Sequence, residues 1–220
     1  PYTTLFRSLI PNKDHTDDLD VCLNSFFERA DYQNYEFIII ENNSVLPETF
    51  AYYEKIEKEH DNVKVVYWEA GFNYSAINNF GFKFAKGDYI MLLNNDVELI
   101  TPDIFQSMLG FCMRPEVGIV GAKLLYNDHT VQHAGVLVGA GGLADHVFKG
   151  IHEDDPGYMG RAISSQDVSA VTAACLLVKR SVYEEVGGLE DEFQVAFNDV
   201  DFCLKVRKAG YLIEIGRAHV

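Results

Sequence analysis

Basic residues are scarce in this 220-residue chain: 18 Lys and Arg stand against 33 Asp and Glu, for a formal charge of -15. Binding nucleic acid through its phosphate backbone needs a basic footprint, so no nucleic-acid partner is expected. The same balance disfavours docking on an anionic membrane surface. No apolar run approaches the ~18 residues of a bilayer-spanning helix, so no transmembrane segment is expected either. Cysteines are few and far apart (Cys22, Cys112, Cys175 and Cys203), with no Cys-x-x-Cys pair. They read as buried, reduced thiols of a cytosolic protein, not as staples or metal ligands. Neither a signal-peptide pattern nor a low-complexity tract is visible. No Gly-x-Gly-x-x-Gly follows the first apolar run, which argues against a nicotinamide-binding Rossmann domain. The glycines of Gly139–Gly142 lack the lysine and the strand–helix setting of a P-loop.

Apolar residues are plentiful. They make up 48% of the chain, enough for a substantial core, and the length fits one α/β domain or at most two small ones. The central stretch is Asp88–Leu99, DYIMLLNNDVEL. Tyr89 to Leu93 has no polar face, as expected of a strand covered on both sides. It stops at Asn94-Asn95-Asp96, placing two amides and a carboxylate just past the carboxyl end of a strand. Open α/β sheets bind ligands there. A hard oxygen donor such as Asp96 suits Mg or Mn, which can bridge to a diphosphate. Taken alone, Asn-Asn-Asp is equally compatible with an ordinary turn.

In chain order, Pro11-Asn12 ends a short first strand, and Asp17/Asp18 start a helix running to about Ala30. Tyr35–Ile40 is a second strand, ending at Glu41-Asn42-Asn43-Ser44. A helix opens at Pro47, a third strand covers Val63–Trp68, and a helix runs from Ser75 to Lys86. The central strand follows, then a helix from Pro102 to Met113 and a fifth strand at Val117–Leu124. This alternation predicts βαβ units and a Rossmann-like, mostly parallel sheet with helices on both faces. Polar strand ends recur at Asn12, Glu41, Asn73 and Asn94, which chance turns explain less readily than any single one. Further on, Val131–Val138 reads as one strand. Gly139 to about Asp167 is a polar, glycine-rich stretch, expected to be a lid, a binding loop or disordered. Val168–Lys179 reads as a strand with small residues Ala170, Ala173 and Ala174, where something can approach closely. A short helix at Ser181–Val186 precedes Gly187-Gly188, and Asn198-Asp199-Val200-Asp201 opens a last helix to about Ala209.

The two ends look foreign. Pro1–Ser8 and Ile215–Val220 match translations of short-read sequencing adapters, so a domain truncated at both ends is expected. The first strand would then be reduced to Leu9-Ile10, and His219 is no ligand candidate.

Pro11-Asn12, IIIENNS, FNYSAINN, YIMLLNNDVEL, VTAACLLVKRSVYEEVGGLEDEF and FNDVDFCLKVRKAGY, in this order, resemble glycosyltransferase family two. The resemblance covers essentially Leu9 to Ile213, and its Gly-Gly-Leu and Asn-Asp-x-Asp elements look most like bacterial rhamnosyltransferase-like members. It implies an A-type fold over residues 9–213, with a nucleotide-sugar half at about 9–126 and an acceptor half at about 127–213. It further implies an inverting, metal-dependent transfer of a hexosyl or deoxyhexosyl group from a nucleotide-sugar donor to a saccharide or lipid-linked acceptor. The setting implied is cytoplasmic, with peripheral attachment to the inner face of a bacterial membrane through parts outside this fragment. Residue by residue, Glu41 matches the acid that accepts the base's imide N–H, where the family more often has Asp, and Asn43 lies beside it. Pro11 and Asn12 match the loop beneath base and ribose, and Asn73 and Asn78 line the nucleotide site. Asn94-Asn95-Asp96 replaces an Asp-x-Asp motif, leaving Asp96 as the metal ligand for Mg or Mn and Asn94 and Asn95 as donor contacts. The family's further metal-binding histidine typically follows the segment where this fragment ends.

Asp199 matches the catalytic base, although Asn198, Asp199 and Asp201 could equally cap their helix, Asp201 being the better cap. His133, His146 and His152 could touch metal or acceptor but show no ligand spacing. Two other functions stay open on residues alone: a sugar-nucleotide nucleotidyltransferase, which lacks its basic Gly-rich signature here, and a non-catalytic carbohydrate-binding half of a tandem enzyme.

Overall fold

A computed structural model describes residues 6–139 and 142–219, with the backbone alone for 217–219. Three βα units open the chain: β1 (Phe6–Asn12), α1 (Thr16–Arg29), β2 (Tyr35–Asn42), α2 (Pro47–Glu59), β3 (Val63–Trp68) and α3 (Tyr74–Phe82). Next come β4 (Tyr89–Leu93), α4 (Ile104–Cys112), β5 (Val117–Leu125), β6 (Val131–His133), β7 (Val136–Val138), β8 (Ala144–His146) and β9 (Gln166–Asp167). The chain closes with β10 (Cys175–Lys179), α5 (Arg180–Glu185), α6 (Asn198–Lys208) and β11 (Leu212–His219).

The main sheet has the order β3-β2-β1-β4-β10-β5-β11-β9, with β6 on β5, while β7 and β8 form a separate hairpin. Pairs β1–β2, β1–β4, β2–β3 and β5–β11 are parallel, and β10 runs antiparallel between β4 and β5. The expected mostly parallel α/β sheet is what forms.

Its central strands are largely apolar because both faces are covered. Ile10, Phe37, Ile39, Met91 and Leu93 point to one side, where Leu23 and Phe26 of α1, Tyr53 of α2 and Phe105 of α4 pack. Leu9, Ile38, Ile40, Ile90 and Leu92 point to the other, against Ile77 of α3, Tyr183 of α5 and Phe202 of α6. Alternation by one residue thus feeds two cores, each large side chain contributing about 1.5–3 kcal/mol. All four cysteines are free and buried. Burial pushes the Cys112, Cys175 and Cys203 thiols up to about 12, so they behave as packing residues.

Three expectations are corrected. The first strand is not confined to Leu9-Ile10. Phe6–Ser8 pair with Tyr35–Phe37 on one side and Tyr89–Met91 on the other, and Phe6 packs on Tyr32 and Phe105. A strand between two neighbours offers backbone partners to almost any sequence, which is why it extends; residues 1–5 and 220 of the suspect ends lie outside the described residues. Val131–Val138 is two strands, broken where Gly135 takes φ +106 and its α-carbon faces Val168. The stretch from 142 to 167 is not a bare loop. It is stitched by Val147 N–H to Gly135 O, Gly150 N–H to Val131 O and Glu153 N–H to His129 O, besides β8 and β9.

Candidate active site

Three strand ends meet at the carboxyl edge of β1, β2 and β4. Asn95 Nδ2 donates to Asn12 Oδ1 (2.7 Å), Asn12 Nδ2 to the Tyr53 hydroxyl (2.8 Å), and that hydroxyl to Glu41 Oε2 (2.8 Å). Glu41 also accepts from the Ser44 N–H and from the Ser44 hydroxyl at 2.6 Å. This single chain of bonds ties β4, β1, α2 and β2 together. Burial foremost, and then the Glu41 carboxylate, push the Tyr53 phenol up, so it remains a donor. Tyr53 was missed in the sequence, where it reads as one more aromatic on the i, i+4, i+7 face of Thr49, Tyr53 and Ile56.

Glu41, expected to contact the base, is held by bonds within the protein. Its side chain is 3% exposed and its oxygens are engaged within the protein. Asn43, exposed and held at φ +58, is the outward-facing residue of that turn, with Nδ2 on Ala70 O at 2.7 Å. Pro11 is half-buried beside buried Asn12. Asp14, one turn further, takes the N–H groups of Val45 and Leu46, and so braces the start of α2.

At the end of β4, the Asn94 N–H is held by Ala174 O (2.9 Å). Asn94 and Asn95 are half-buried and Asp96 is exposed. Among the described residues the Asp96 carboxylate makes no hydrogen bond or ion pair, so its oxygens face solvent unclaimed.

Asn73 and Asn78, expected to line the nucleotide site, lie at the start of α3 and within it. Asn73 caps α3: its Oδ1 accepts from Ala76 N–H and its Nδ2 donates to Asp191 O. Asn78 is completely buried, with Nδ2 on Tyr74 O. The asparagine that reaches out is Asn79, which holds Leu189 through both its amide groups. With Ser75 Oγ on Phe193 O, these bonds strap the Leu189–Gln194 turn onto the start of α3.

The segment Thr172–Ala174 is the hub of the site. Thr172 N–H meets His133 Nε2 (3.4 Å), Ala173 N–H meets Asp199 Oδ2 (3.3 Å), and Ala173 O accepts from the Tyr74 hydroxyl (3.3 Å). With Asn94 bonded to Ala174, three consecutive residues join α3, α6, β6 and the end of β4. Close approach is possible because Gly121 of β5 lies under Val171, whose Cβ would sit 2.6 Å from any Cβ added at 121.

Asp199 stands in the first turn of α6, and its Oδ1 takes the Val200 N–H at 2.8 Å. Phe197, just before the helix, adopts left-handed φ +61, a conformation costing a non-glycine residue roughly 1–2 kcal/mol. Asp201 is no cap. Its Oδ2 is buried without a partner, and burial together with Glu190 raises its pKa against the pull of Lys205. Burial first, then the charge of Asp199 and more weakly that of Asp96, hold the Tyr74 phenol well above its ordinary value. Tyr74, within FNYSAINN, carried no signal in the sequence beyond its aromatic character.

His133 and His146 face each other, Nδ1 to Nδ1 at 2.8 Å, whereas the ring of exposed His152 pairs with Asp154. No three His, Cys, Asp or Glu among the described residues form a group that could hold a metal by themselves. A lone, unclaimed carboxylate at Asp96 nevertheless suits Mg, which commonly takes one or two carboxylates and completes its shell with phosphates and water.

The family profile described as Glycosyl transferase family 2 matches residues 9–187. The protein y4gI of Sinorhizobium fredii is 44% identical over 213 residues, 95% of this chain and 23% of its own. The O-antigen biosynthesis protein RfbC of Myxococcus xanthus is 38% identical over 203 residues, 92% of this chain and 16% of its own. The chain thus spans less than a quarter of the length of either relative. Among solved structures, the mannosyltransferase PcManGT of Pyrobaculum calidifontis, in complex with GDP-Man and Mn2+, superposes with TM-score 0.67 at 12% identity. That match covers 96% of this chain and 56% of the other. TarS of S. aureus superposes equally, TM-score 0.67 at 14% identity, over 96% and 35%. Among the described residues, no helix is long and apolar enough to cross a membrane. Its sheet, its carboxyl-edge site and the profile spanning residues 9–187 together make this chain a member of glycosyl transferase family 2.

Proposed function

We propose that this chain is an inverting glycosyltransferase domain. It moves a sugar from a nucleotide-diphosphate-sugar to a saccharide or lipid-linked hydroxyl, in the synthesis of a bacterial surface polysaccharide. The observation that carries the reading is the Thr172–Ala174 hub, which holds the end of the strand bearing Asp96 at Ala174 and the Asp199 carboxylate at Ala173. One carboxylate belongs to the strand-end edge where donors bind, the other to the helix of the second half. The RfbC likeness, and the GDP-Man and Mn2+ of the PcManGT structure, are consistent with the substrate class.

In this reading, Asn43, Asn94, Asn95 and Pro11 contact the donor, while Asn12, Tyr53 and Glu41 brace the strand ends that carry them. Asp96 would hold a divalent Mg or Mn ion, with donor phosphates completing its shell. When bound, that ion supplies Lewis-acid charge stabilisation to the leaving diphosphate. Asp199 is the base. It removes the acceptor hydroxyl's proton as the oxygen attacks the anomeric carbon opposite the leaving group, a role worth roughly a hundred- to ten-thousand-fold. Its carboxylate is already aimed, because Oδ1 and Oδ2 are held by the Val200 and Ala173 amides. The strained Phe197 at the helix start is the kind of outlier that marks functional sites. Buried, reduced thiols suit a cytoplasmic enzyme.

The test is Asp199→Asn, which keeps shape and removes basicity. The kcat for transfer is expected to fall at least about a hundredfold with donor KM nearly unchanged. Transfer at the wild-type rate would make Asp199 a helix-terminal acid and put the base elsewhere.

A further inference from the structure

The two facing histidines lie beside the base without belonging to any role above. His133 is completely buried, on β6, and His146 is half-buried, at the end of β8. Their protons can be assigned by donor logic. The Thr172 N–H points at His133 Nε2, so that nitrogen must be an acceptor and the neutral ring carries its proton on Nδ1. His133 Nδ1–H then donates to His146 Nδ1 at 2.8 Å. His146 Nδ1 is thereby an acceptor, and its own proton sits on Nε2. The alternative arrangement would set two N–H groups head to head, either at Thr172 or between the rings.

Burial and the neighbouring His146 drive the His133 pKa down to about 3, so this ring stays neutral. For His146 the largest influence is burial, which lowers its pKa; Lys149 pushes the same way, and Asp199 and Asp145 oppose. No hydrogen bond joins His146 to Asp199, but the His133 ring that holds His146 and the Asp199 carboxylate are anchored side by side. Both groups hang from adjacent amides, His133 from Thr172 and Asp199 from Ala173.

We propose that His133 locks His146 as a neutral Nε2–H donor beside Asp199, and that this donor and the carboxylate together read two neighbouring hydroxyls of a saccharide acceptor. Asp199 takes the proton of the attacking hydroxyl, and His146 donates to the adjacent one. The second half of this inference rests on the proposed transferase reading; the first half does not. It selects a polyhydroxylated acceptor over a simple alcohol, since only the former offers an oxygen to each group. His146 is thus a specificity residue that binds the acceptor and takes no proton.

Two measurements separate the halves. Long-range 1H–15N NMR on the 15N-histidine-labelled chain reads tautomers without any activity. Expected are Nδ1–H for His133 and Nε2–H for His146, with His133 neutral down to about pH 5 and His146 titrating below an ordinary histidine. A His146 that titrates at an ordinary value, or carries Nδ1–H, overturns the lock. In transfer assays with a saccharide acceptor, His146→Phe is expected to raise acceptor KM about five- to tenfold with donor KM held, and His146→Gln, which keeps a donor, to recover most of it. Equal acceptor KM in wild type and His146→Phe overturns the hydroxyl contact. Locked tautomers in a protein with no transfer at all would refute the transferase reading and leave the lock standing.

Discussion

Acid should destabilise this protein through one buried ring. His133 has a folded pKa of about 3, whereas an unfolded histidine titrates near ~6.5. A folded value below the unfolded one means the unfolded chain binds the extra proton, so stability rises with pH between the two values. The contribution is complete above about pH 6.5 and is lost as the pH falls toward about 3. The slope is about 1.4 kcal/mol per pH unit, so over the roughly 1.5 units from pH 6.5 to 5 the loss reaches about 2 kcal/mol. The perturbation is His133→Asn, whose amide retains a donor where Nδ1 stood, toward His146 Nδ1, and cannot titrate. The groups that face the pair, Asp199, Asp145 and Lys149 around His146 and the Thr172 amide against His133, stay in both proteins. Asp201 and Glu214, whose pKa values burial raises, tilt stability the opposite way and cancel in the difference. Urea unfolding from pH 7 to 5 is the assay. The variant should be less stable at pH 7, and the gap should narrow by about 2 kcal/mol at pH 5. Parallel pH profiles for the two proteins would mean that His133 is protonated in the fold or solvated, and the tautomer argument would fall with it.

Other outcomes follow from the same geometry. Asp96→Ala should abolish metal-dependent nucleotide-diphosphate binding while Asn95→Ala weakens it less; calorimetry giving equal affinity with a chelator present would overturn the metal role. Tyr53→Phe removes a buried hydroxyl that donates to Glu41 and accepts from Asn12, leaving both short of a partner. A loss of about 1–3 kcal/mol in urea unfolding, with raised donor KM, is expected, and a neutral change in both would show the bond chain to be dispensable. Gly121→Ala drives a methyl into Val171 and should cost about 1–3 kcal/mol and shift the Thr172–Ala174 hub, lowering kcat. An unchanged melting temperature and rate would mean that β5 and Val171 part without effect on the hub.

The recurrence of polar residues at strand ends was legible because a parallel strand is marked twice, by an apolar run and by its abrupt stop. That pattern alone located Asn12, Glu41, Asn94 and Asp96 on one edge. Local sequence could not tell Asn78 from Asn79. Both lie on α3, but only packing decides that one faces the core and the other the Leu189 turn. Nor could it tell Glu41 the free acid from Glu41 the buried acceptor of Tyr53 and Ser44, whose partner lies 12 residues away on another element. The antiparallel insertion of β10 between β4 and β5 is a long-range choice, and it carries Thr172–Ala174 to the end of β4. His133 and Asp199 reach adjacent amides through that insertion. Their spacing in the chain has no period that a helix or strand would align, so tertiary structure alone could bring them together.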